Sequence, residues 1–295
     1  MSYLVGVTLL WAFSFSLIGV YLSGQVDSYF AVATRIVLAT LIFLPLLRPR
    51  AIPRASCLGL MSVGALQLGV MYLFFYHAFL LLSVPEVLLF TIFTPLYITL
   101  IDDLLARRFS PRYLLMAALA VAGAAVIRYD GVNAGYWLGF LVVQGANVCF
   151  ALGQVGYRHL ARGLPAGVAH RHLFGWFYLG ALCVALPAFL LLGDVHKLPT
   201  TGLQWGVLGW LGVVASGLGY FLWNKGACRV DAGTLAIMNN ALIPAGLVVN
   251  LVIWNRDADL LRLSAGAAIL LVTLWLNARW ARRGAATAAP AASHP

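Results

Sequence analysis

Ten long apolar runs, separated by short polar or charged segments, account for most of this sequence. They lie at approximately 2–22, 28–47, 56–80, 84–103, 112–128, 135–157, 173–192, 203–224, 233–254 and 263–279, and are called spans one to ten below. Each run is long enough to cross about 30 Å of hydrocarbon as a helix. Because backbone polar groups find no water there, a helix is the expected structure. The pattern predicts an all-α membrane protein with ten transmembrane helices.

Charged residues make up only 9% of the chain, so a soluble fold is excluded. The formal net charge of +10 suggests nucleic acid, but Lys and Arg stand in small groups between apolar runs, as membrane-flanking anchors do. We therefore expect no nucleic-acid partner. The four cysteines lie in or beside apolar segments without CxxC spacing, which favours small core residues over a disulfide. Neither a metal site nor a cofactor is predicted.

Lys and Arg are distributed unequally between the two sides that ten spans would define. Fourteen fall on the side of the two termini, four in the opposite loops, and Arg35 inside span two. The positive-inside rule then predicts that both termini are cytoplasmic. Residues 284–295 are interpreted as a disordered tail, and the apolar N-terminus as an uncleaved first span. The expected location is a bacterial inner membrane.

The two halves of the sequence resemble one another. Ala78 and Pro95 are separated by the same distance as Ala227 and Pro244, and the offset between the pairs is 149 residues. We predict a first five-helix repeat over residues 1–130 and a second over 131–283. Since each repeat has an odd number of spans, the second must enter the membrane the other way up, which favours alternating access around a midplane site.

The equivalent prolines point to a candidate site near the middle of spans four and nine. Proline has no N–H, so the carbonyl four residues earlier loses its helical partner and the helix tends to kink. Those carbonyls belong to Thr91 and Asn240. Freed carbonyls beside polar side chains are typical of transporter sites. The alternative is that Pro95 and Pro244 only shape their helices.

Span six carries a stripe of amide side chains. Gln144, Asn147 and Gln154 fall on one face of a 3.6-residue helix. Amides that face lipid would be costly, so the stripe should face protein or a water-filled cavity. Interhelical hydrogen bonding without ligand contact is the alternative.

Aromatic side chains in spans three and eight are candidates for a cavity wall. Tyr72 and Tyr76 are one turn apart, and Tyr220 lies three residues before Trp223. Such rings can stack on an apolar ligand and also offer O–H or N–H groups. Tyr76 and Trp223 could instead be interface anchors. Ser14 in span one adds a small polar group.

Ionisable residues within spans are few. Arg35 lies about two turns from the outer end of span two and is expected to snorkel towards the surface. His77 and Glu86 flank the outer hairpin between spans three and four, where a titratable pair can couple transport to protons. A structural ion pair is the alternative there. Catalytic motifs are absent from the sequence, and Glu86 is the only glutamate, so an enzyme is not expected.

Several segments resemble the EamA-type branch of the drug/metabolite transporter superfamily. They are LLWAFSFSLIGVYL in span one, FAVATRIVLATLIFLPLL in span two and the two Ala-to-Pro segments. SVPEVLLFTIFTPLYITL and IMNNALIPAGLVV look most like the YddG-type aromatic amino-acid exporters. A departure follows span four, where many members have a Gly-Glu pair and this chain has Ala106 and Arg107.

The resemblance implies a central cavity lined by spans one, three, four, six, eight and nine, and efflux of aromatic and other neutral amino acids. The expected partners are such a substrate and the lipid bilayer, with no obligatory protein partner. Drug-like solutes, or a membrane sensor without transport, remain alternatives. Together with the patterns above, the candidate substrate-binding residues are Ser14, Tyr72, Tyr76, Thr91, Thr94, Gln144, Asn147, Tyr220, Trp223, Asn239 and Asn240.

Overall fold

The computed structural model describes residues 2–105, 107, 134–164, 168–230 and 232–254, and isolated residues between 261 and 280. In this part of the chain all regular structure is helical. Eight of the ten apolar runs are helices, whereas span five and most of span ten lie outside the described residues. The helices are Ser2–Tyr21, Ser28–Phe43, Arg54–Leu81, Val84–Leu105, Ala134–Arg162, His170–Leu192, Gly202–Ala227 and Ala232–Val249.

Seven of these helices are long and apolar enough to cross a membrane, and an eighth apolar helix, Met238–Trp254, is shorter. The prediction of an all-helical membrane protein is confirmed at this level. The count of ten spans, the side on which the termini lie and the disordered tail stay predictions, because spans five and ten and residues 284–295 are not described.

Polar side chains define where three of the helices begin. Asp27 accepts a hydrogen bond from the backbone N–H of Phe30 at 2.7 Å and so caps span two. Ser83 and Glu86 form a capping box at the start of span four, and Thr201 forms one with Gln204 at span eight. These contacts satisfy N–H groups that a helix leaves free in its first turn.

Spans three and eight share an unusual backbone. In span three an α-helix over Arg54–Gly64 is followed by a π-helical segment over Ala65–Val70, and α-helix resumes at Met71. Span eight repeats this order, with π-helix over Leu211–Gly219 and α-helix again from Tyr220. Met71 and Tyr220 are separated by the same 149 residues that separate the two prolines. The widened turns therefore recur at matching places in the two halves.

The packing of the helices is also similar in the two halves. Span one packs against spans eight and nine, while span six packs against spans three and four. Span three crosses span seven so closely that a methyl group on Gly64 would overlap the carbonyl oxygen of Phe177. Span eight crosses span two, where a methyl group on Gly212 would lie 2.7 Å from Leu38. Small residues thus permit close backbone approach, as is usual between membrane helices.

Candidate substrate cavity

A cavity of about 620 Å³, including space open to solvent, lies between the two halves. Spans one, three, four, six, eight and nine contribute to its lining, as expected, and span two adds Arg35. The lining residues are Trp11, Ser14, Phe15, Ile18, Arg35, Met71, Tyr72, Phe75, Thr91, Thr94, Ala146, Asn147, Phe150, Tyr220, Asn239 and Leu242.

One wall of the cavity is aromatic. The ring of Trp11 lies 5.0 Å from that of Tyr220 and 5.9 Å from that of Phe150, measured between centroids. Its indole N–H donates to the carbonyl of Ala215 at 2.9 Å, which fixes the ring against the π-helical segment of span eight. Tyr72 meets Tyr220 edge-on at 5.8 Å. These rings offer a rigid apolar surface of the kind that stacks on a ring-shaped ligand.

The helix of span four breaks one turn before Pro95. A 3₁₀ turn over Thr91–Phe93 separates its two α-helical parts, and the N–H of Thr94 donates to the carbonyl of Thr91. The prediction of a freed Thr91 carbonyl is therefore wrong. Because the turn tightens, the Phe90 carbonyl loses its ordinary i+4 partner instead, and the side-chain amide of Asn147 donates to it at 2.8 Å.

The side chain of Asn147 makes three hydrogen bonds to its neighbours. It accepts a hydrogen bond from Thr94 at 3.1 Å and donates to Gln144 at 3.1 Å as well as to Phe90. Thr91, Thr94 and Asn147 line the cavity together. Gln144 is buried behind them and accepts from the hydroxyl of Tyr97. The first part of the amide stripe thus joins span six to the break in span four.

The remaining member of the stripe, Gln154, belongs to a closed cluster. Its side-chain oxygen accepts from Trp223 at 2.9 Å and from Asn239 at 3.1 Å, and its NH₂ group donates to the Asn239 oxygen at 3.2 Å. Gln154 and Trp223 are almost fully buried but do not line the cavity, whereas Asn239 does. Trp223 lies inside the protein and stacks 5.0 Å from Trp11, so it is not an interface anchor.

The position of Arg35 contradicts a second prediction, that its side chain snorkels towards the surface. Its side chain is 2% exposed and faces the cavity, so it does not snorkel to the surface. Its three nitrogens donate to the hydroxyls of Ser216 at 3.0 Å, Tyr76 at 3.0 Å and Tyr72 at 2.6 Å. The guanidinium carbon also lies 4.3 Å from the centre of the Tyr72 ring. Spans three and eight hold the cation inside because they supply both hydroxyl acceptors and an aromatic face.

The guanidinium of Arg35 is hydrogen-bonded, but none of its described partners is acidic. All three described hydrogen-bond acceptors are neutral hydroxyls. An arginine in the middle of a membrane helix costs about 2.5–3.5 kcal/mol on insertion scales, so such residues are usually functional. Tyr76 is buried by this contact and does not line the cavity. The sequence signal was available, since Arg35 is the one Lys or Arg placed inside a predicted span.

Two predicted residues carry polar atoms that the described residues leave without a hydrogen bond. The hydroxyl of Ser14 is buried in the cavity lining with no partner, and so is the side-chain oxygen of Asn240, which lies behind the lining. Pro244 is inside a continuous α-helix, unlike Pro95. A buried polar atom without a partner costs free energy, so the Ser14 hydroxyl is a candidate ligand contact.

The two outer ionisable residues each have a local partner. A ring nitrogen of His77 lies 2.7 Å from the carbonyl oxygen of Leu73, and Glu86 accepts from the N–H and hydroxyl of Ser83 at 2.8 Å. The four cysteines are free thiols. Across the described residues, no group of three His, Cys, Asp or Glu could hold a metal ion.

Comparisons with known proteins agree with this architecture. Residues 1–129 match the model of the EamA-like transporter family. A probable biotin transporter of Pseudomonas aeruginosa is 56% identical, over 94% of this chain and 97% of the relative. Biotin transporters of Salmonella typhimurium and Escherichia coli are 53% and 52% identical, over 98% and 95% of this chain and 96% and 93% of the relatives. A crystal structure with 19% identity covers 95% of this chain and 97% of its own, with a TM-score of 0.70.

The chain belongs to the EamA-like transporter family. It is a multi-pass transporter of the bacterial inner membrane and not an enzyme, as the sequence predicted. The names of its relatives do not support the finer prediction, because they specify biotin and not aromatic or other amino acids. The solved structure, at 19% identity, supports the fold alone.

Proposed function

We propose that this protein transports biotin across the inner membrane by alternating access around the central cavity. The observation that carries the proposal is the identity of 52–56% to proteins named biotin transporters, over nearly their whole length. Identity at that level makes a shared substrate more plausible than the amino acids suggested by the weaker resemblance. The mixed aromatic and polar lining of the cavity supports the same substrate.

The lining suits the chemistry of biotin. Biotin has a fused bicyclic head with a ureido group, an apolar thioether ring and a hydrocarbon chain that ends in a carboxylate. Trp11, Phe150 and Tyr220 provide aromatic surface for the head. The side-chain oxygens of Asn147 and Asn239 each accept one hydrogen bond and can accept a second from a ureido N–H, and the unpartnered Ser14 hydroxyl can donate to the ureido C=O.

Transport by reconstituted protein tests this proposal. Purified protein in liposomes should accumulate radiolabelled biotin down its gradient, and excess unlabelled biotin should abolish the signal. Phenylalanine and threonine, each at the same excess, should not compete. Equal flux in protein-free liposomes, or competition by phenylalanine as strong as by biotin, would reject biotin as the substrate.

Thiol labelling tests whether the cavity is the transport site. In a variant without the four native cysteines, Asn147→Cys should react with a water-soluble thiol reagent, and biotin should protect it. Gln154→Cys should react slowly, because Gln154 is 0% exposed and outside the lining. Leu141→Cys is the matched control on the same helix, since Leu141 is 62% exposed and lies outside the cavity lining. Protection of Leu141→Cys by biotin would contradict this assignment.

The membrane arrangement proposed with this function is ten spans in two inverted repeats with cytoplasmic termini. The recurrent π-helical segments and the matched packing of spans one and six support it. A reporter fused after residue 283 should be cytoplasmic, and one inserted beside Lys197 should be external. A cytoplasmic signal at both positions would reject the arrangement.

Proton coupling through His77 and Glu86 remains part of the proposal. Their positions near the outer ends of spans three and four support it. Biotin flux measured with and without an imposed pH gradient tests it, and identical rates in the two conditions would remove both residues from the mechanism.

A further inference from the structure

Among the described residues, no acidic side chain contacts Arg35. All nine acidic residues of the sequence lie in loops or close to the end of a predicted span, and Arg35 lies about two turns inside span two. Asp27, at the outer end of the same helix, is engaged in capping that helix, and Glu86 in capping span four. The cation therefore faces the cavity while the acidic residues of the neighbouring helix ends serve local structure.

The geometry around Arg35 leaves it able to bind a ligand. A guanidinium has five N–H donors, and three are engaged by Ser216, Tyr76 and Tyr72, which leaves two in the described structure. The hydroxyls and the Tyr72 ring restrain the planar group without cancelling its charge. A restrained guanidinium with donors to spare is well suited to a carboxylate, which can accept two of its N–H groups side by side.

We infer that Arg35 binds the carboxylate of the substrate and makes this transporter selective for monocarboxylate anions. This inference rests on the proposed transport of biotin, whose single charge is a carboxylate at the end of its chain. When the anion binds, the pair neutralises a charge that is otherwise held in a low-dielectric site. The aromatic wall and amides are then left to contact the uncharged head.

The charge of the lining also separates ligand classes. Among the described lining residues, Arg35 is the one charged side chain, so the cavity carries a single positive charge. A monoanion balances it. A zwitterionic amino acid would bring an ammonium group that has no carboxylate to meet it, and an amide or ester of biotin would leave Arg35 unpaired.

The first experiment changes the ligand and leaves the protein intact. Binding of biotin, biotinamide and biotin methyl ester to purified wild-type protein is measured by competition against radiolabelled biotin. The two neutral analogues should bind about 10- to 100-fold more weakly than biotin, as expected for loss of a charge-assisted hydrogen bond. Equal binding of the acid and the amide would overturn the inference.

The second experiment changes Arg35. In Arg35→Gln the ratio of biotin to biotinamide affinity should fall to within about twofold, whereas Arg35→Lys should keep part of the preference because it keeps the charge. Arg158→Gln is the matched control, since Arg158 is also a buried arginine but lies outside the cavity lining. A merely structural role for Arg35 would lower both affinities together and leave the ratio unchanged.

The outcomes separate this inference from the proposed function. If wild-type protein fails to bind biotin at all, the proposed function is wrong, and so is the inference that Arg35 binds its carboxylate. If it binds biotin and biotinamide equally, the proposed transport of biotin is unaffected, but Arg35 does not bind the carboxylate. Should Arg35→Gln fail to fold, the wild-type ligand series together with Arg35→Lys still decides the question.

Discussion

Spans three and eight share a backbone pattern, whereas spans two and seven, which cross them, differ in charge. Spans three and eight have the same order of α-, π- and α-helix, and each is crossed closely by a helix of the other half. Span two carries Arg35, whereas span seven has no charged residue from Leu173 to Leu192. Spans three and eight thus contribute similar backbones to the two sides of the cavity, and Arg35 places the positive charge of its lining at span two.

This difference separates residues that stabilise the helix packing from Arg35, which determines the charge of the ligand. A site built from two identical halves would bind a substrate equally well in two opposite orientations. One cation removes that equivalence, because a carboxylate gains free energy only at Arg35. The cluster of Gln154, Trp223 and Asn239 in the second half consists of neutral side chains, so it offers a carboxylate no charge to pair with.

The largest expected effect concerns two glycines at which spans three and eight are crossed by a neighbouring helix. In Gly64→Ala the new methyl group would meet the backbone carbonyl of Phe177, which cannot move alone, and overpacking of this kind costs about 1–3 kcal/mol or more. In Gly212→Ala it would meet mainly the flexible side chain of Leu38, at 2.7 Å, so the loss should be smaller. Thermal unfolding in detergent gives the measurement.

Gly206→Ala is the control for this pair, because nothing lies within 4 Å of the position its methyl group would take. Its midpoint of unfolding should match wild type. If Gly212→Ala lowers the midpoint of unfolding more than Gly64→Ala does, contact with the backbone is not what makes a substitution at these crossings costly.

A smaller effect is expected from the closed amide cluster. Gln154→Leu removes three hydrogen bonds and leaves the Trp223 N–H and the Asn239 side chain to find other partners. Because these side chains can find other partners, the free energy of unfolding should fall by about 1–1.5 kcal/mol in total, less than in Gly64→Ala. Biotin affinity can fall slightly because Asn239 lines the cavity, but the preference for biotin over biotinamide should persist. Loss of that preference would mean that the cluster senses the carboxylate.

The smallest effect concerns the hydroxyls that hold Arg35. Among the described residues, the Tyr72 hydroxyl contacts both Arg35 and Ser216, whereas the Tyr76 hydroxyl contacts Arg35 alone. Tyr72→Phe should weaken biotin binding about three- to tenfold, and Tyr76→Phe by less, because each hydroxyl positions the guanidinium while the charge of Arg35 is kept. Equilibrium binding of radiolabelled biotin measures both. A larger loss in Tyr76→Phe would contradict the role given to the second contact of Tyr72.

Part of the site could be predicted because residue type and spacing carry the information. The cavity lining includes Ser14, Tyr72, Thr91, Thr94, Asn147, Tyr220 and Asn239, all of which the sequence indicated. The break near Pro95 was also predicted, but its freed carbonyl belongs to Phe90. A missing N–H can be accommodated by a kink or by a tighter turn, and only neighbouring helices decide between them.

The sequence alone determined the all-helical membrane architecture, because bilayer thickness and the need to bond every backbone group act on each apolar run separately. It also determined that a cation lies inside span two. Only the tertiary structure decided that Arg35 faces the cavity and not lipid or surface. Its partners Tyr72 and Ser216 lie 37 and 181 residues away in the chain, and their contact depends on how three helices rotate and cross. Those rotations follow from packing between helices, which no single span encodes.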